Sequence, residues 1–133
     1  MAIKFVTDFN KEAVFYKNKE YTYKDLIREA KYISKVLGIE KGEKVVNFME
    51  NRPEFICSFF GIWNSKGVPI NIDAGYTAEE LEYILTDADP KVIMTSNKNL
   101  KVVEEAIKLS GKTEEKLKKE RRIAKEYRGK CYF

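Results

Sequence analysis

Apolar and polar residues recur with two different periods along this chain, and each change of period marks an element. In AVFYKNKEYTY, residues 13 to 23, two short strand-like runs flank Asn18 and Lys19, which predicts a hairpin. Thr22 stands at an N-cap position with Asp25 three residues later, a loose variant of the capping box. Leu26, Ile27, Ala30, Ile33 and Leu37 then recur at steps of three and four, so a helix with one buried stripe runs to about Leu37. Gly38 stops it, because glycine takes the left-handed C′ conformation at little cost.

A turn around Lys41 and Gly42 leads into KVVNFM, a short strand expected to be buried on both faces. Asn51 is expected to cap the next helix. Pro53 falls in its first turn, where the missing N–H costs nothing. Phe55, Ile56, Phe59, Phe60 and Trp63 are read as its inner face, with Gly67 as its stop and VPINI as another buried strand. Thr77 and Glu80 form a standard capping box for a third helix, with Leu81, Ile84 and Leu85 facing inward. KVIMT is the next strand. A last helix starts near Asn97 to Asn99, with Leu100, Val103, Ala106 and Ile107 on one side. The expected fold is α/β: an N-terminal β-hairpin, then βαβαβα units forming a mainly parallel sheet flanked by helices, and a charged C-terminal helix.

Charge divides the chain near Gly111. Residues 112 to 133 hold nine Lys and Arg against four Asp and Glu, while residues 1 to 111 are nearly neutral. The expected domains are therefore 1–111, a compact body, and 112–133, a basic helical tail. The tail reads as a solvated helix face, with anionic surfaces or nucleic acid as the competing reading. Only Tyr127 and Tyr132 are available there for base stacking, so nucleic acid is not an expected partner. The start of the chain has no long apolar core of a signal peptide. The apolar run from Phe55 to Trp63 is well short of the roughly 20 residues of a membrane span. A cytoplasmic location is expected. Glutamine is absent while Lys and Glu abound, as in thermophiles or under AT-rich coding.

Several chemistries are excluded. Without histidine there is no Ser-His or Cys-His nucleophile. Cys57 and Cys131 alone cannot complete a zinc site, and Cys57 inside an apolar helix reads as a small buried hydrophobe. No glycine-rich phosphate loop of either common kind is present. Carboxylates at Asp73, Glu79, Glu80, Glu82, Asp87 and Asp89 could bind magnesium, but Glu79 and Glu80 read as an acidic first turn that complements the helix dipole. Trp63 reads as core, with an acyl or adenine pocket as the alternative. The sequence therefore yields no catalytic, cofactor-binding or metal-ligating residue.

The ordered set of YTYKDL, VLGIEKGEKVVNFMENRPEF and FFGIWNSKGVPINIDAGYTAEELEYILTDADPKVIMT resembles the N-terminal segment of the adenylate-forming (AMP-binding) superfamily, of the acyl-CoA synthetase or long-chain fatty-acid–CoA ligase type. The matching positions are Thr22, Tyr23 and Leu26; Gly42, Glu43, Lys44 and Val45; and Asn51 and Glu54. They continue through Lys66, Gly67, Pro69, Glu80, Leu81, Ile84, Leu85, Lys91, Val92 and Thr95. The resemblance covers roughly residues 13 to 109 and leaves the family after about Ser110. Asn64-Ser65 and Asn71-Ile72 depart from the usual pattern, without upsetting the fold.

The resemblance implies that a complete relative activates a carboxylic acid with ATP to an acyl-adenylate and passes the acyl group to coenzyme A. It also implies that the phosphate-gripping loop, the acidic magnesium and ribose ligands and the catalytic lysine lie outside this chain. Thr95-Ser96, the one place where that loop could begin, leads into Asn-Lys-Asn with no glycine. This chain alone is thus expected to be a truncated, inactive piece that binds no cofactor, whereas ATP, magnesium and CoA belong to the complete relative. Self-association or a second polypeptide that completes the domain is the expected partnership. The alternative is a stand-alone interaction or oligomerisation module derived from the same scaffold.

Overall fold

The computed structural model describes residues 7–111. The expected basic tail and Cys131 lie outside the described residues. Strands β1 (Glu12–Tyr16) and β2 (Lys19–Thr22) pair antiparallel as the expected hairpin, with Tyr16 opposite Lys19. The turn residues are Lys17 and Asn18, one place earlier than expected. Both have positive φ, +47° and +60°, as a type I′ turn demands of its two central residues. Helix α1 (Tyr23–Leu37) follows at once. Thr22 Oγ1 accepts from the Asp25 N–H at 3.2 Å, and the Asp25 carboxylate accepts from the Thr22 N–H at 3.0 Å, so the capping box is complete. The Thr22 backbone N–H first, and then the Thr22 hydroxyl, both donating to the Asp25 carboxylate at 3.0 Å, hold that carboxyl below its ordinary range. Gly38 ends the helix in the left-handed region at φ +59°.

The main sheet is parallel. It is built from β3 (Lys44–Phe48), β4 (Val68–Ile72) and β5 (Val92–Thr95), in the order β4-β3-β5. Helices α2 (Pro53–Asn64) and α3 (Ala78–Ala88) make the two crossovers, and α4 (Leu100–Leu109) follows β5 after a 3-10 turn at Asn97–Asn99. One crossover steps sideways from β3 to β4, and the next passes back across β3 to β5. Right-handed connections running in opposite directions put their helices on opposite faces. Side chains sort accordingly. Val45 and Met94 pack with Ile33 of α1 and Ile62 of α2, whereas Val46 and Ile93 pack with Leu81 of α3 and Val103 of α4. β3 is central and buried from Val45 to Phe48, as expected.

β4 departs from expectation. It lies at the sheet edge, with Val68 and Asn71 exposed and only Ile72 buried. Pro69 explains the position. The Val68 N–H donates inward to Glu43 O at 2.9 Å, so the next residue turns its nitrogen away from β3, where a missing donor costs nothing.

α2 also departs, in two ways. Its N-cap is Arg52, not Asn51, and no side chain caps it. Pro53 forces its predecessor into extended backbone, and Arg52 takes it at φ −157°, ψ 162°. The buried face is Cys57, Ser58, Gly61 and Ile62, while Phe59 and Phe60 are half-buried and Trp63 is 59% exposed. The helix is apolar all round, so periodicity alone could not choose a side. Close approach chose it: a Cβ on Gly61 would stand 2.7 Å from Ile33 Cγ2 and 2.9 Å from Ala30 O of α1. Gly67 is not the left-handed stop either. Lys66 takes that conformation at φ +61°, with the Gly67 N–H closing on Ile62 O at 3.1 Å. Gly67 serves the next contact, since a Cβ there would lie 3.1 Å from Glu43 O.

Gly61→Ala tests the helix contact. Alanine favours a helix by about 1 kcal/mol over glycine, but overpacking costs roughly 1–3 kcal/mol. The variant is expected to unfold at lower urea concentration than the wild type. A higher midpoint would show that α1 and α2 have room to spare.

Candidate functional site

In open parallel sheets, ligands bind beyond the carboxyl ends of the strands, at the point where the strand order reverses. Here that point lies between β3, whose connection runs to one side, and β5, reached from the other. The residues that meet there are Glu50, two places after β3, and Ser96 and Asn99, just after β5. Glu50 Oε2 accepts from Ser96 Oγ at 2.6 Å and from Asn99 Nδ2 at 2.9 Å. Asn99 Nδ2 also lies 3.1 Å from Ser96 Oγ. Glu50 Oε1 accepts from Arg52 Nη1 at 3.1 Å, and Arg52 Nε donates to Glu54 Oε2 at 2.9 Å. Ser96 and Asn99 are buried, while Arg52 and Glu50 keep about a quarter of their side chains exposed.

The electrostatics follow from the contacts. Burial pushes the Glu50 carboxyl up, but the Ser96 hydroxyl, the backbone and the Arg52 guanidinium together outweigh it, so the carboxyl is held below its ordinary value of 4.5. The hydrogen bond from Arg52 to Glu54, helped by both carboxylates, raises the Arg52 pKa further, so the guanidinium is permanently charged. The cluster is a charge-assisted clasp between two strand ends. It presents a carboxylate, two amide or hydroxyl groups and a guanidinium already shared between two acids.

Beneath it lies Asn47, fully buried in β3. Its Nδ2 donates to Phe55 O at 3.1 Å and to Asn71 Oδ1 at 3.0 Å, tying the middle of the sheet to the first turn of α2 and to β4. Among the described residues, Asn47 Oδ1, Ser58 Oγ and Thr95 Oγ1 are buried without a hydrogen-bond partner, so the polar density of this end of the sheet exceeds its internal pairing.

Of these groups only Thr95 and Ser96 stood out in the sequence, as a possible loop start, and the cluster itself did not, because Glu50 and Asn99 are 49 residues apart. The available signal was Asn47, a lone amide in a strand otherwise apolar from Val45 to Met49. The acidic residues that the sequence did single out are dispersed. Asp73 Oδ1 accepts from the Gly75 N–H at 2.8 Å, Glu80 closes the capping box of α3, and Glu82 accepts from the Thr86 hydroxyl at 2.7 Å. Among the described residues no three Asp, Glu, Cys or His side chains come together at metal-binding spacing. Trp63 lies on the outer face of α2, and Cys57 is buried, as expected. A cleft at the opposite, amino end of the strands is lined by Lys44, Asp89 and Lys91. No helix among the described residues is long and apolar enough to cross a membrane.

The low folded-state value of Glu50 fixes the sign of a pH effect. Its contribution is fully present above 4.5 and is lost as the pH falls through the depressed folded-state value. Glu50→Gln is expected to cost about 1 kcal/mol at pH 7. The gap from wild type should narrow as the pH falls below 4.5 and through the depressed folded-state value, as followed by urea denaturation over an acid pH series.

The comparisons with known proteins bear on this unit as a whole. The family model described as AMP-binding enzyme matches residues 6–130, which runs past Ser110, where the resemblance was expected to end. The chain is 32% identical over 89 residues to the long-chain-fatty-acid–CoA ligase of Bacillus subtilis (strain 168), covering 65% of this chain and 16% of that one. It is also 34% identical over 83 residues to the oxalate–CoA ligase of Arabidopsis thaliana, covering 62% of this chain and 16% of that one. Among solved structures it superposes on the anthranilate CoA ligase AuaEII in complex with anthranoyl-AMP. The TM-score is 0.71 at 28% identity, over 77% of this chain and 20% of that one. The chain thus spans about a sixth of the length of the two curated ligases it matches. With an ordered α/β unit of the same shape and a family match over nearly its whole length, the chain belongs to the AMP-binding enzyme family.

Proposed function

We propose that this chain forms the N-terminal scaffold of an ATP-dependent, acyl-adenylate-forming acid–CoA ligase, and that the groups gripping ATP, magnesium and CoA are supplied from outside it. The family match supports the ligase reading. The observation that carries the scaffold reading is the occupant of the switch point. A nucleotide's phosphates want backbone N–H groups and free cations, but Glu50 lies there as an ionised carboxylate, and both Ser96 and Asn99 donate to it. Arg52, the neighbouring cation, is committed to Glu50 and Glu54. The residues present do not fit ATP, and no chemical step is assigned to them. Their work is mechanical: holding β3, β5 and the start of α4 in register, so that whatever follows the sheet starts from a fixed place.

The proposed domain division keeps residues 1–111 as this scaffold and 112–133 as a basic tail, and the proposed location is cytoplasmic. A second reading, a stand-alone interaction module, draws support from the core, which is closed on both sheet faces with Val45, Val46, Leu81 and Val103 fully buried.

Isothermal titration calorimetry of the purified chain with ATP and magnesium tests the scaffold reading. No saturable heat is expected. A saturable heat from the chain alone would put a nucleotide site within these residues and overturn it.

A further inference from the structure

The exposed sides of α1 and α3 carry opposite charge. Of the five exposed residues of α1, four are the cations Lys24, Arg28, Lys31 and Lys35, and the fifth is Tyr32. Steps of four, three and four residues set the cations in one row, about 16 Å long at 1.5 Å per residue. Arg28 pairs with Asp25 at 3.3 Å, whereas Lys24, Lys31 and Lys35 form no ion pair among the described residues. Like charges at these spacings destabilise a helix, so the row differs from an ordinary solvated face, on which the two signs are mixed. α3 is the reverse. It holds no Lys or Arg, and its exposed residues are Glu79, Glu80, Tyr83, Thr86 and Asp87. Glu79 and Glu80 complement the helix dipole in the first turn, but Asp87 lies in the last turn, where the dipole opposes it. Neither Glu79 nor Asp87 forms an ion pair among the described residues.

The shapes match as the charges do. The Lys24 N–H donates to Phe9 O at 2.8 Å, which holds Phe9, 47% exposed, beside the first turn of α1. Phe9 and Ile27 supply the apolar part of an open groove of about 620 Å³, which Lys24, Arg28 and Lys31 also line. On α3, Tyr83 is 71% exposed and lies one helical turn from both Glu79 and Asp87. Lys24 and Lys31 stand in the same relation to the middle of the groove, a turn to either side of Ile27 and Arg28. We infer that the α1 row of one molecule docks the acidic face of α3 of a second copy of this chain, with Tyr83 seated in the groove and Glu79 and Asp87 against the lysines. A bilayer or a nucleic acid offers negative charge to the row, but no aromatic side chain projecting between two acids. α1 and α3 pack on opposite faces of the sheet, so the contact forms between molecules and not within one. Such an interface is heterologous, and it repeats from copy to copy unless the ring closes.

Sedimentation velocity of the full chain over a concentration series tests this. The mean mass is expected to rise with concentration at low ionic strength. It should fall back to the monomer in about 1 M salt, where the screening length is about 3 Å. Lys24→Gln/Lys31→Gln/Lys35→Gln and, separately, Glu79→Gln/Tyr83→Ser/Asp87→Asn are each expected to weaken self-association roughly tenfold or more. An equal mixture of the two variants is expected to give heterodimers and nothing larger, because only one intact α1 row and one intact α3 face remain to meet. Every substituted side chain is exposed, and circular dichroism checks the folds. Lys31→Gln and Tyr83→Ser alone serve if a triple variant does not fold.

A wild type that stays monomeric at every concentration overturns the proposal. Lysine-dependent binding to phosphatidylserine vesicles in place of self-association overturns it too, and makes a bilayer the occupant of α1. Self-association that the lysine variant keeps would pass the cationic role to residues 112–133 and remove it from α1. Self-association that the α3 variant keeps would remove the acidic face, and a mixture that grows beyond the heterodimer would put the contact elsewhere. None of these outcomes bears on the ligase reading, which the ATP titration tests by itself.

Discussion

At position 61 there is room for a hydrogen atom and no more. Ile33 and Ala30 of α1 approach so closely that any side chain on α2 would meet them below normal contact distance. That contact sets how α1 and α2 lie together on one face of the sheet. It turns the small residues Cys57, Ser58 and Gly61 inward. Because α2 is only one helix wide, it also leaves Phe59 and Phe60 half-buried and Trp63 exposed. Tight packing on one side and an apolar ridge on the other are therefore two consequences of one steric fact. The burial of a tryptophan was exchanged for the interdigitation of two helices.

A second constraint acts at right angles to the first. Glu50 clasps Ser96 and Asn99 across 46 to 49 residues of sequence, joining the exit of β3 to the exit of β5. Arg52 is drawn into the same cluster, and its side chain pairs with Glu50 and Glu54 while capping nothing on α2. Asn47 repeats the logic one layer below by linking β3, β4 and the first turn of α2. The end of the sheet where α/β folds place their ligands is thus occupied by polar groups that satisfy mainly one another. Such a network gives directional pairing where apolar packing would tolerate sliding. The family supplies the chemical context, and this geometry supports the proposed positioning role of the described residues.

Much of the architecture was legible because it is local. Thr22 with Asp25 and Thr77 with Glu80 close capping boxes within four residues, and Gly38 needs only its own backbone to end α1. The short apolar run of β3 and the stripes of α1, α3 and α4 follow from one residue after another, so element order and the parallel sheet could be read directly. The candidate site was not legible. Thr95-Ser96 was visible as a possible loop start, but Glu50 and Arg52 look like ordinary loop charges in MENRPE, and nothing near them in sequence joins them to Ser96 or Asn99.

The misplaced details share one cause. Asn51 lost the cap to Arg52 because Pro53 fixed the preceding backbone. β4 lies at the edge among the described residues, where Pro69, which cannot donate, costs no ladder hydrogen bond. Trp63 faced outward because Gly61, and not the hydrophobic pattern, chose the inner side of α2. The sequence by itself determined the elements, their caps and their order, since hydrogen bonds and periodicity within a few residues decide those. Only the tertiary structure decided which face of an all-apolar helix is buried, which strand is an edge and which charges meet, because each depends on the closest approach of groups far apart along the chain.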